Sequence, residues 1–95
     1  MITIGRIVLY RLNARDAVDI TDQRRTSNAH AALLRGNPVK EGDVFPLLVT
    51  KTWQDSDDKT QSVNGQVMLD GNDTQWVTSV HEGTEPGEWS WPPRV

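Results

Sequence analysis

The chain has no cysteine. That excludes a disulfide framework, a thiolate nucleophile and any zinc site built on cysteine. Histidine is scarce: His30 and His81 stand far apart, with no H-x-x-x-H or H-E-x-x-H spacing between them. No G-x-S-x-G elbow is present. Neither a G-x-x-x-x-G-K-[ST] cradle nor a G-x-G-x-x-G fingerprint occurs, which disfavours ATP hydrolysis and dinucleotide binding. No apolar run approaches the ~18 residues of a membrane span. The opening MITIGRIVLYRL has neither the basic region nor the small-residue cleavage site of a secretory leader.

What remains is short and acidic. At 95 residues, one domain covering 1–95 is expected. A chain of this size buries only ~60–65% of its extended surface, so its core is thin. Apolar residues make up 36%, enough to argue against disorder throughout. The net charge of −3 divides unevenly, +4 over residues 1–40 and −7 over 41–95. Such a split either makes a basic patch or is neutralised, by folding one half on the other or by a second subunit in a homo-oligomer. So acidic a protein is poorly suited to bulk nucleic acid, where affinity rests on many Lys/Arg contacts to phosphate.

The pattern along the chain is mostly β. Ile2 to Leu12 reads as a first strand with apolar residues on both parities and Gly5 permitting a bend. Asn13 is a candidate N-cap with Asp16 at N3, and Ala14, Ala17, Val18 and Thr21 recur at helical spacing. A helix from about Ala14 to Gln23 or Arg25 follows, its final arginines near the negative end of the dipole. Ser27–Arg35 reads as a further short helix or a mobile loop, ended by Gly36 and Pro38. This helical insertion, about residues 13–36, separates the first two strands. A turn at Glu41-Gly42-Asp43 leads into a strand ending at Trp53. Pro46 within it suggests an edge strand or a bulge, because proline cannot donate to a ladder. Gln54–Ser62 has no apolar residue and is expected to be a loop. Gly65 to Val80 reads as a hairpin around Asp70-Gly71-Asn72-Asp73, and WSWPPRV ends the chain with a short strand.

The expected fold is therefore mainly β with a short helical insertion (α+β). A small SH3-like five-stranded barrel protects its strand edges best; a two-sheet β-sandwich is the alternative.

Four segments carry a resemblance to known proteins: RRT (24–26), GNPVKEGDVFPLLVTKTW (36–53), VNGQVMLDGNDTQWVTSV (63–80) and the tail PGEWSWPPR (86–94). Together they resemble a group of small proteins encoded by tailed phages and prophages, which often end in Trp-x-Trp-Pro. GQVMLDGNDTQW is the most specific run, and Ser27–Arg35 is the part not expected to match. The resemblance implies a phage or prophage origin, action in the host cytoplasm and no particular catalytic residue.

Candidate functional residues fall into three sets. Asp55, Asp57 and Asp58 could hold a cation, yet no bidentate Glu follows at EF-hand distance, and a solvated loop explains them. Asp70 and Asp73 are explained by turn chemistry. The informative set is tryptophan: four of six aromatics. Trp53, Trp76, Trp89 and Trp91 can plug the ends of a small barrel, or some of them can line a cleft that stacks planar or cationic groups. Arg24, Arg25 and Thr26 can compensate the helix dipole, or can bind phosphate. No metal or cofactor is implied. The leading expectation is a non-enzymatic phage module that sequesters a nucleotide-like small molecule as a host-takeover or counter-defence factor, with Arg24, Arg25, Thr26, Trp76, Trp89 and Trp91 as its ligand-binding residues. The alternatives are a protein–protein interaction or virion-assembly module and, last, a small nucleotide-acting enzyme.

Overall fold

The computed structural model describes residues 2–25, 36–54 and 61–93. Its elements are β1 (Ile7–Arg11), α1 (Ala14–Arg25), β2 (Val44–Gln54), β3 (Gln61–Met68), β4 (Thr74–Val80) and β5 (Trp89–Ser90). All five strands belong to one antiparallel sheet in the order β4-β3-β2-β1-β5. The molecule is mainly β with one short helix, and the single sheet replaces the two-sheet alternative. β4 and β5 are its two ends and do not pair as strands, so the sheet is not closed. One isolated parallel bridge, Glu82↔Trp89, joins the segment after β4 to β5.

The first strand is shorter than its apolar pattern implied. Gly5 adopts φ +92°, and the Arg6 N–H donates to the Thr3 carbonyl, closing a turn. That turn leaves Ile4 exposed while Ile2 reaches the core. Pro46 is neither on an edge strand nor at a bulge, because β2 is the central strand of the sheet. Val49 N–H donates to Arg6 O and Leu12 N–H to Asp43 O, so β2 alternation turns its odd residues toward β1. The nitrogen of Pro46 therefore points toward β3, one position before the first β2–β3 pair, Leu47↔Val67. No donor is required there. The Gln54–Ser62 loop is also narrower than expected, since Trp53↔Ser62 and Gln54↔Gln61 are paired. Backbone pairing continues past the last apolar side chain because the ladder itself needs none.

The inner face packs Val8, Tyr10, Leu12, Leu47, Val49, Val63, Val67, Val77 and Trp89 against Ile20 of α1 in one cluster. Gly65 of β3 is packed tightly against β2: a Cβ there would strike the Leu48 carbonyl oxygen and the Leu47 side chain.

Candidate functional site

Helix α1 is fastened at both ends. At its start the Asp16 amide donates to Asn13 Oδ1 (2.7 Å) and the Asn13 amide donates to Asp16 Oδ2 (3.0 Å), a reciprocal cap. The Tyr10 hydroxyl from β1 donates to the same Asp16 Oδ2. Burial, then this bond and the Asp16 charge, pushes the Tyr10 hydroxyl well above the usual phenol range. At its end Arg24 is buried and donates twice to Asp73, Nε to Oδ2 at 2.8 Å and Nη2 to Oδ1 at 3.0 Å. Its Nη1 donates to the Asn37 carbonyl (2.8 Å). The bond to Asp73 raises the affinity of Arg24 for its proton, against the opposing effect of burial. Asn37 in turn donates from its amide to Asp70 O and from its side chain to Asp70 Oδ2. The turn Asp70–Asp73 thus serves as the receptor for the helix end.

Held this way, α1 turns Asn13, Asp16 and Asp19 toward β4. Between them lies an open cleft of about 290 Å³, floored by Tyr10 and Gly87 and walled on the other side by Gln75, Trp76, Val77, Thr78 and Val80. Residues of both parities of β4 line it, so the cleft meets the strand's edge. Gln75 occupies an inward position paired with Val67 and is 9% exposed; its amide, unbonded among the described residues, keeps contact with solvent in the cleft. Asp16 uses only Oδ2 in its bonds.

The outer face of the sheet mixes polar residues with a partly apolar row. Ile7↔Leu48, Leu48↔Gln66 and Gln66↔Trp76 are successive pairs, so these four residues form one row across β1, β2, β3 and β4. Ile7 and Trp76 are each 60% exposed; Met68 is exposed beside the row, and Val44 four residues before Leu48 on β2. On the same face the ladders bulge on both sides of Asn64, between Val49 and Lys51 and between Val63 and Gly65. Asn64 Oδ1 accepts from Trp53 Nε1 (3.0 Å) and from the Ser79 amide (2.8 Å). Ser79 sits at φ +53°, outside the usual region for a non-glycine residue. Lys51 Nζ stands 4.8 Å from the Trp53 ring centroid.

Of the six expected ligand residues five are described, and among these only Trp89 and Trp91 are in ring contact. Trp89 is a core residue at 1% exposure. Trp91 meets it edge-on at 5.4 Å, with one face under Arg6, whose guanidinium carbon is 5.2 Å from the ring centroid. Trp76 is exposed on the outer face, whereas Trp89 faces the interior. Arg24 is bonded to Asp73 and Asn37. Arg25 is exposed at the helix end, and Thr26 lies outside the described residues. So do Ser27–Arg35 and the Asp55, Asp57 and Asp58 cluster. Sequence reasoning missed Gln75 and Asp19. For Gln75 a signal existed: in TQWVTSV it shares the parity of Val77, so an amide was due on the apolar side.

Among the described residues no three His, Cys, Asp or Glu side chains are grouped to hold a metal ion, and no helix is long and apolar enough to cross a membrane. No protein-family model matches the chain, and no curated protein or solved structure proves significantly similar to it.

Proposed function

We propose that this chain is a non-enzymatic protein-interaction module of tailed-phage or prophage type, which docks a host or phage protein on the outer face of its sheet. The observation that carries this reading is the four-strand row ending in Ile7 and Trp76, both 60% exposed. Ile7 and Trp76 bracket Leu48 and Gln66 in that row, and tryptophan, tyrosine and arginine are enriched among the anchors of protein interfaces. We read the sheet as a half-open SH3-like roll: β5 lies against β1, and the Glu82↔Trp89 bridge draws the far end of β4 toward it. Action in the host cytoplasm, as a takeover, counter-defence or assembly factor, follows from the phage resemblance.

The test compares captured partners of wild type, Trp76→Ser and Trp53→Ser in infected cells. One partner retained by wild type and Trp53→Ser but lost with Trp76→Ser supports the reading. Identical partners for all three chains would remove the role of the row.

A second reading, sequestration of a nucleotide-like molecule, is favoured by one contact, the Arg6 guanidinium over the Trp91 ring. A ring and a cation side by side can take a base and a phosphate. Thermal stabilisation by cyclic or linear nucleotides, abolished in Trp91→Ala, tests it.

A further inference from the structure

We infer that the cleft between α1 and the edge of β4 is a second binding site, which takes an extended polypeptide segment carrying an arginine or lysine. The inference goes beyond the docking face described above: it concerns the strand's edge, and the residues that define it are not in the Ile7–Trp76 row, Trp76 itself excepted.

Three observations converge on the cleft. The first is an unused ladder. Leu69 N–H donates to the Asp73 carbonyl, and Val67↔Gln75 and Gly65↔Val77 continue that register. Alternation therefore spends the backbone groups of Gln75 and Val77 on β3 and turns those of Thr74 and Trp76 outward. β4 ends the sheet, so among the described residues no strand receives them. The second is Gln75, nine-tenths buried, lining the cleft, with an amide that no described residue satisfies. The residue is buried, but its amide keeps contact with solvent in the cleft, so its N–H and C=O groups are open to a ligand able to both donate and accept. The third is charge. Asp16 and Asp19 stand on the opposite wall; among the described residues Asp16 Oδ1 accepts no bond, and of the Asp19 oxygens one is engaged, by the exposed Arg15.

An added strand satisfies all three. Its backbone pairs with Thr74 and Trp76, and its inward side chain enters the cleft, where Asp19 and Asp16 accept from a guanidinium or ammonium group and Gln75 bonds the neighbouring peptide. Strand addition to an exposed edge, with alternate side chains supplying specificity, is a general mode of peptide recognition. A volume of about 290 Å³ is at the small end for ligand sites (~300–1,000 Å³), which suits one long side chain better than a nucleotide. The two carboxylates also oppose a phosphate.

The test is a titration of the isotopically labelled full chain, followed by backbone-amide NMR, with acetyl-Thr-Arg-Thr-Val-amide. Parallel titrations use the same peptide with norleucine or glutamate in place of arginine, and arginine amide alone. The expected result is saturable shifts at Thr74, Trp76 and the α1 face. Norleucine is expected to weaken binding by ~10-fold or more, and glutamate to abolish it. Asp19→Asn, an alteration on the helix surface, and Gln75→Met each reduce affinity for the arginine peptide, while Trp53→Ser leaves it unchanged. No shift in this region at millimolar peptide overturns the site. Equal binding of the norleucine peptide overturns the cationic specificity, and arginine amide binding as tightly as the peptide overturns strand addition. Partner capture by the outer face is read separately, because Asp19→Asn leaves that face intact.

Discussion

Replacing Arg24 by methionine keeps most of the side chain's volume and removes its three described bonds, two to Asp73 and one to the Asn37 carbonyl. Hydrogen bonds to charged groups are each worth ~1.5–3 kcal/mol net, but bonds made by one guanidinium are not independent. Breaking a buried pair from one side costs ~3–5 kcal/mol. The Asp73 side chain keeps 19% of its surface and a further interaction, so its carboxylate can recover some hydration, and the lower end applies, about 3 kcal/mol. For 95 residues the total stability is ~5–14 kcal/mol, so the loss is large. At ~4–8 °C per kcal/mol, Tm falls by ~12–24 °C. Urea unfolding followed by far-ultraviolet circular dichroism measures the loss. Asp73→Leu and the double variant complete a cycle, with an expected coupling of ~2 kcal/mol. A loss below ~1 kcal/mol in Arg24→Met would falsify the view that this clasp holds α1 to the β3–β4 hairpin.

Tyr10, the single tyrosine, should stay protonated in the folded chain above pH ~10, where an unfolded tyrosine ionises. Stability from this group is complete below that pH and declines as pH rises through it. Tyr10→Phe should flatten the alkaline limb of the stability curve, and an equally steep limb in the variant would assign it to other groups. Gly65→Ala should cost ~1–3 kcal/mol rather than stabilise, since the new methyl meets Leu48 O and the Leu47 side chain; an unchanged denaturation midpoint would mean the bulge absorbs it. Trp89→Ala should cost ~3–5 kcal/mol, and acrylamide should quench Trp53, Trp76 and Trp91 but spare Trp89. Emission that is uniformly blue and unquenched would contradict the exposure on which the docking face depends.

The local pattern carried much of the fold. Asn13 and Asp16 marked the start of α1, and Arg24 and Arg25 its end, because a helix terminus is satisfied by near neighbours in the chain. The Gly65–Val80 hairpin was legible for the same reason: alternation and turn residues act within a few positions. The candidate site was less legible. Trp76 was singled out for its ring and does stand exposed, but Trp89 was not separable from it, since both are tryptophans in short strands.

What the sequence alone determined is the content of local elements: a mainly β chain, one capped helix and a hairpin closed by Asp70–Asp73. Tertiary structure decided what contacts distant in the chain decide. It placed β2 at the centre of the sheet despite Pro46, committed Arg24 to Asp73 across 49 positions, and sent Trp89 inward and Trp76 outward. It also set α1 beside an unpaired strand edge, leaving Gln75 in a cleft. Burial and pairing depend on which face of one element meets another, and neighbouring residues in a chain do not encode that meeting.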